Sequence, residues 1–376
     1  MKILIDARTL GSHPGGVGMY TYDYILAMRK DDRFEITILT DIASSQEMMH
    51  LAQLDLPIIT FGKEIKESAQ VLKYFRFVQD SLDYYKPDLF WEPNNLIPVK
   101  LLRYEGKIMV TVHDIFPITN PETYGRIYPA YFKHSLKNTL KQADMIVYDS
   151  VESKTNLEHC IPQAANLSHY ISYIIVRKPN VELQPISPDV YFDNVKIDGQ
   201  DYFLYLGNIE RRKGADLLLH AYTRYRALGG NKTLYLGGAI REPELEELYN
   251  QVRQKTPEIL ALGYVDEEQK DILFRHCSGF VFPSRAEGFG IPIIEAMHYN
   301  KPILASNLSI FRETSGDAIH YFNINAAPEE QVENLAKAML SLNSADLDAY
   351  KTITGRYSPE ELGRGFCDYI YHSWYQ

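Results

Sequence analysis

Two glutamates, Glu287 and Glu295, flank a glycine-rich turn in Pro283-Ser284-Arg285-Ala286-Glu287-Gly288-Phe289-Gly290-Ile291-Pro292-Ile293-Ile294-Glu295-Ala296-Met297. Two carboxylates on either side of a backbone that can approach a ligand closely could grip hydroxyl groups, since an ionised carboxylate is an acceptor with two oxygens. A helix start also favours a carboxylate through its dipole, so each glutamate alone has a purely structural reading. A second set, Gly207-Asn208-Ile209-Glu210-Arg211-Arg212-Lys213-Gly214, places basic side chains between glycines. Arg can hold two oxygens of a phosphate and Lys adds a mobile point charge, which suits a pyrophosphate; a solvated basic turn is the plain alternative, above all for Arg211. A third, Gly15-Gly16-Val17-Gly18, could turn backbone N–H groups toward an anion, or be an ordinary tight turn. The fourth is His113-Asp114, where a His hydrogen-bonded for structure and a capping Asp are the modest readings.

Each set needs a strand before it and a helix after it, and the sequence supplies both. Gly279-Phe280-Val281-Phe282 reads as a buried strand, and Pro292 stands where a helix begins, with Glu295 in its first turn. Lys2 to Asp6 reads as a strand, Gly11 to Gly18 as a loop and Met19 to Met28 as a helix. Phe34 to Leu39, Leu89 to Trp91, Lys107 to Val112 and Met145 to Val147 read as further strands, with helices over Glu64 to Tyr85 and Tyr128 to Lys141. A second series starts at Asp201, with strands at Tyr202 to Leu206, Thr233 to Leu236, Ile259 to Val265, Gly279 to Phe282 and Pro302 to Leu304. Its helices cover Ala215 to Leu228 and Pro243 to Lys255, and a last helix runs from Pro359 to Tyr375. This alternation predicts an α/β fold with mostly parallel sheets covered on both faces. The polar, Pro-containing stretch Pro179 to Gln200 reads as the linker between the two series.

The bulk numbers narrow the function classes. At 376 residues the chain is long for a single core. A net charge of −10 argues against nucleic acid as partner, because phosphate binding leaves a basic footprint. Three scattered cysteines, Cys160, Cys277 and Cys367, give neither a disulfide framework nor zinc spacing. The first strand starts at the N-terminus with no secretory leader, and no apolar run reaches bilayer length, so a cytoplasmic protein is expected. The stretch with Lys63, Lys66, Lys73 and Arg76 beside Tyr74, Phe75 and Phe77 could make weak peripheral contact with anionic lipid at the inner face of a membrane. Its other reading is a solvated face over a core stripe. The one D-x-D, Asp346-Leu347-Asp348, reads as helix surface and not as a metal site, and no G-x-S-x-G elbow occurs.

Ser284 to Met297 resembles, position for position, the S-x-x-E-G-F-G-x-P-x-x-E-A-M string of retaining glycosyltransferases of family 4, the group 1 transferases. The Gly15-Gly16-Val17-Gly18 turn is similar to that family's G-G-V-G-x-Y start, and Arg212-Lys213 to its R-K pair. His113-Asp114 with Pro117 and Pro121-Glu122 is similar to an H-D-x-x-P string of bacterial mannosyl- and rhamnosyltransferases. Leu262-Gly263-Tyr264-Val265 is similar to the family's G-x-V beside the nucleotide base. Departures are Asn208, where many members carry Arg, Asn180-Val181 for the hinge P-N-G-V, and Asn300-Lys301-Pro302 for G-x-P.

The resemblance implies the GT-B architecture, two Rossmann-like domains facing across a cleft. The acceptor-side domain would be 1–178 closed by 357–376, and the nucleotide-sugar domain 179–356. It implies His113, Glu287, Lys213 and Arg212 as the catalytic set. It implies Gly15, Gly16, Asn208, Gly263, Tyr264, Val265, Gly288, Phe289, Gly290 and Glu295 as the donor-binding set, with Glu295 on the ribose. No cofactor and no metal are implied. The partners would be a nucleotide-sugar donor, GDP-mannose before UDP-sugars, and a glycan or lipid-linked acceptor. The reaction would retain anomeric configuration by front-face attack, with no protein nucleophile. A same-fold epimerase or hydrolase and a non-catalytic sugar-nucleotide-binding partner are the alternatives.

Overall fold

The computed structural model describes residues 1–65, 68–101, 103–121, 124–125, 127–179, 191–192, 195–196 and 201–374. Lys66, Glu122, Asn180 and most of the Pro179–Gln200 stretch lie outside them. The chain divides into two compact units, Met1–Ile175 with Tyr357–Gln376, and Val176–Arg356. Among the described residues no helix is long and apolar enough to cross a membrane.

The first unit is built on a parallel sheet. Its strands are β1 (Lys2–Asp6), β2 (Glu35–Thr40), β3 (Ile58–Thr60), β4 (Leu89–Glu92), β5 (Lys107–Val112), β6 (Met145–Tyr148) and β7 (Ser168–Ile171), in the order β3-β2-β1-β4-β5-β6-β7. Leu4, Phe90, Val110 and Ile146 are buried, as parallel strands covered on both faces require. The register places Ile5 beside both Ile38 and Trp91. Helix Pro359–Trp374 packs on this unit. Its Phe366 ring lies 4.5 Å from Tyr24 and 5.2 Å from Trp91. Burying such a ring is worth roughly 2–3 kcal/mol.

In the second unit, β8 (Tyr191–Phe192) and β9 (Val195–Lys196) form a short antiparallel pair. The main sheet holds β10 (Tyr202–Leu206), β11 (Thr233–Gly237), β12 (Ile259–Gly263), β13 (Gly279–Phe282), β14 (Ile303–Ser306) and β15 (His320–Phe322). Its order is β12-β11-β10-β13-β14-β15, all parallel. The strand order of each sheet reverses once, between β1 and β4 and between β10 and β13. Loops leaving the strand ends at such a reversal diverge to opposite faces and leave a crevice, the usual ligand site of open α/β sheets.

Several boundaries move from the sequence reading, each for a local reason. The first helix starts at Gly16 and not at Met19, because Gly15 takes the extended N-cap position and first-turn amides need no intrahelical partner. The helix expected over Glu64 to Tyr85 is described over Ser68–Tyr85, and residues 66–67 lie outside the described residues. β12 ends at Gly263, short of Val265, where the backbone turns left-handed at φ 72°. Pro292 is the second helical residue, after Ile291, which moves Glu295 out of the first turn into the second.

Candidate active site

In the second unit the loops leaving β10 and β13 meet at the strand reversal. Arg211, Arg212 and Lys213 form a single 3₁₀ turn that ends on Gly214 at φ 72°. A Cβ on Gly214 would collide with the Pro283 carbonyl, so the glycine lets the basic turn lie against the Pro283–Gly290 loop. The two loops are tied by backbone, with the Arg285 N–H donating to the Arg212 carbonyl at 2.8 Å.

Side chains complete the contact. Lys213 Nζ lies 2.5 Å from Glu287 Oε1, which also accepts from Ser284 Oγ at 2.8 Å. Arg212 donates to the Ala286 carbonyl at 2.8 Å and to Glu210 at 2.7 Å, with Glu287 Oε2 at 3.9 Å. Lys213 is 17% exposed and Glu287 8%, so the pair is largely dehydrated yet reachable. Such a pair can trade partners: an anion placed at Lys213 would release Glu287 for hydroxyl groups.

Helix Ile291–His298 opens from Gly290, which is left-handed at φ 94° and sits against the Phe311 ring where a Cβ would not fit. Phe289 is buried, so of the residues expected to bind a donor it can offer only its backbone. Glu295 Oε1 accepts from Lys270 Nζ at 2.7 Å, while Oε2 has no hydrogen bond or ion pair among the described residues. Lys270 also reaches Glu267 at 2.9 Å. Burial works to lower the Lys270 pKa, but the Glu295 and Glu267 carboxylates more than offset it, and the net shift is upward. Lys270 is a neighbour that sequence reading missed: it lies on another helix, 25 positions away, in no motif.

The floor at this edge is glycine. Gly207, Gly237, Gly238 and Gly263 stand where β10, β11 and β12 end, and a Cβ on Gly238 would collide with the Gly207 carbonyl. Tyr264, next to Gly263, is 84% exposed. Asn208, in place of the family's Arg, is exposed, and its Oδ1 lies 3.4 Å from Arg241 Nε. Arg241, also missed from sequence, brings a guanidinium to the position that Asn208 leaves uncharged.

In the first unit, Gly15 and Gly16 are exposed, and a Cβ on either would meet nothing within 4 Å. Packing therefore does not require glycine there, unlike at Gly18, whose Cβ would collide with the Thr9 carbonyl. His113 follows β5 and is buried. Its Nε2 lies 2.9 Å from the Pro93 carbonyl and its Nδ1 3.5 Å from Asp149. Burial pushes the Asp149 carboxyl up, against the pull of hydrogen bonding from His113. Both ring nitrogens of His113 thus face protein atoms. Asp114 caps the Phe116 amide at 3.1 Å. Asp346 accepts from the Ala349 amide at 3.0 Å at the start of helix Leu347–Arg356. Among the described residues no group of three or more His, Cys, Asp or Glu could hold a metal ion.

Comparison with known proteins agrees with this fold. Residues 189–353 match the family model of glycosyl transferases group 1. The O-antigen chain mannosyltransferase B of Escherichia coli is 33% identical over 248 residues, 62% of this chain and 61% of that protein. The chain thus spans about three-fifths of that relative. The O-antigen chain mannosyltransferase RfbU of Salmonella typhimurium is 22% identical over 95% of this chain and 99% of its own length. In fold, the chain is similar to Anabaena Alr3699/HepE solved in complex with UDP, with a TM-score of 0.75, 16% identity and coverage of 99% and 100%. Residues 189–353 of this chain belong to the group 1 glycosyl transferases.

Proposed function

We propose that this chain is a retaining hexosyltransferase that moves mannose from GDP-mannose to a glycan or lipid-linked saccharide in surface polysaccharide synthesis. The observation that carries the reading is the Lys213–Glu287 pair at the strand reversal of the second sheet. Arg212 and Lys213 would meet the charge growing on the departing diphosphate, the kind of electrostatic stabilisation that typically gives the largest catalytic term. With that charge met by the protein, the reading needs no metal. Glu287, released by Lys213, and the amides of Gly288, Phe289 and Gly290 would hold the sugar. Glu295, fixed by Lys270, would accept from the ribose hydroxyls through Oε2. Gly263, Tyr264 and Val265 would lie against the base, and Asn208 with Arg241 beside the phosphates. Gly15 and Gly16, where the first helix opens, would offer backbone amides to an anion. His113, with both nitrogens facing protein atoms, would set the corner after β5. The mannosyl choice rests on the two O-antigen relatives, and a cytoplasmic setting follows from a soluble nucleotide-sugar donor.

Thermal melts with GDP-mannose, GDP, UDP-glucose and UDP test the donor. A ligand at about a hundred times its Kd stabilises the native state by about 2.7 kcal/mol. GDP-mannose and GDP should raise the Tm and the UDP compounds should not; stabilisation by UDP compounds alone would overturn the donor assignment. Transfer to an O-antigen-type acceptor in the presence of EDTA should persist and give the α-anomer from the α-linked donor. Loss of turnover under EDTA would overturn the metal-free reading, and a β-product the retaining one.

A further inference from the structure

We propose that Tyr128 and Tyr131, together with Tyr124, form a docking platform for the carbohydrate chain of the acceptor, beside the corner that ends β5. The proposal rests on the transferase reading above and adds the surface that reading lacks. Tyr128 and Tyr131 lie in the first turn of helix Tyr128–Leu140 and are 45% and 49% exposed. The Tyr124 and Tyr128 ring centroids are 6.0 Å apart at 31°, and those of Tyr128 and Tyr131 6.4 Å apart at 36°. Tyr128 also rests 6.0 Å from the ring of Phe132, which is buried and anchors the group from below.

The chemistry of this group fits a pyranose chain. A sugar ring has an apolar C–H face and a rim of hydroxyls; a tyrosine has an apolar ring face and a hydroxyl that both donates and accepts. With two side-chain torsions each, tyrosines present that area at low entropic cost. The group also lies at the edge where open α/β sheets take ligands, because its helix follows the loop from the C-terminal end of β5. It continues the His113–Asp114 corner. Burial, the Tyr131 hydroxyl and the Asp114 carboxylate together raise the Tyr128 pKa. The other exposed aromatic pair of this unit, Tyr84 and Tyr85, ends the helix that leads into the start of β4, at the opposite edge, and its rings cross at 75°.

An anionic bilayer is the rival occupant. Helix Tyr128–Leu140 carries Lys133 and Lys137 and no acid, and Ile127 before it is 85% exposed. Those lysines follow the tyrosines along the helix, and among the described residues 124–140 Ile127 is the one exposed large aliphatic. Rings with hydroxyl rims at the ligand edge favour a sugar.

The probes are a linear α-linked mannotetraose, maltotetraose, and vesicles of neutral lipid with or without an anionic lipid. Full-length protein saturated with GDP is titrated with each, as wild type, Tyr128→Ala, Tyr131→Ala and Tyr128→Phe. The expected result is mannotetraose binding by wild type, about fivefold weaker in each Ala variant and about twofold weaker in Tyr128→Phe, which keeps the ring and loses the hydroxyl. GDP stabilisation and Tm should stay constant throughout, which separates this result from a failure of the donor site. Equal tetraose binding by wild type and both Ala variants would overturn the proposal, as would no tetraose binding by a wild type that GDP stabilises. Loss of anionic-vesicle binding in the Ala variants with tetraose binding untouched would overturn it in favour of a lipid surface. Absence of stabilisation by both GDP and UDP in wild type would instead refute the transferase reading beneath it.

Discussion

The strand reversals of the two sheets hold charges in opposite ways. In the first unit, Asp6 ends β1, Glu92 ends β4, and both are fully buried around Arg8. Arg8 reaches Glu92 at 3.2 Å and Asp6 at 3.8 Å, and its guanidinium lies 4.9 Å over the Phe75 ring. The Tyr74 hydroxyl donates to Asp6 at 2.6 Å. In the second unit the corresponding position holds Lys213 and Glu287, tied to each other but partly open to water. The same topology thus serves two purposes. Sealed carboxyls fix a loop, because removing Arg8 would leave Asp6 and Glu92 in an apolar interior without their partner. Partly open charges can exchange one another for a ligand that brings its own charge.

The largest expected effect falls on the open pair. Lys213→Ala should lower turnover about 10²- to 10³-fold, as loss of one charge-stabilising donor does, while the urea midpoint barely moves. The sealed cluster should answer in the reverse sense. Arg8→Ala should destabilise the first unit by about 3–5 kcal/mol in urea melts, because it strips a buried acid of its counter-ion, and GDP affinity of the folded protein should be kept. An equal response of stability at both sites would erase the contrast.

Smaller effects sharpen the comparison. Lys270→Met should raise the donor KM about tenfold with a lesser change in kcat, and Lys270→Arg should recover most of it, since the role is to hold Glu295 and not to touch reacting atoms. Glu92 gives a pH signature. Burial pushes its carboxyl well above the ordinary 4.5, against the pull of Arg8. The folded state then keeps a proton that the unfolded chain releases, so rising pH from the ordinary carboxylate range up to the raised value costs stability. The Tm of Glu92→Gln should therefore gain on wild type as pH rises through that window, and a flat difference would show that Glu92 ionises normally.

Much of the framework was legible because parallel strands are apolar runs that need no partner to be recognised. Lys2–Asp6, Lys107–Val112 and Tyr202–Leu206 are observed over the ranges that their residues suggest. So were the loops that carry Arg212, Lys213 and Glu287, since glycines and a proline punctuate them. What stayed hidden depends on distance in sequence. Nothing local to Glu295 announces Lys270, and nothing near Asn208 announces Arg241. The engagement of both His113 nitrogens needs Pro93 and Asp149, which arrive from β4 and β6. Glu92 lies one residue beyond the strand read from the sequence, and its partner Arg8 comes from the turn after β1.

The central claim is that Lys213 and Glu287 part when a diphosphate arrives. Calorimetric titration of GDP into wild type, Lys213→Met and Glu287→Gln tests it most directly, because GDP has no sugar for Glu287 to hold. The account predicts weaker GDP binding for Lys213→Met and tighter binding for Glu287→Gln, where the lysine no longer has to leave a carboxylate. Weaker or unchanged binding in Glu287→Gln would contradict it.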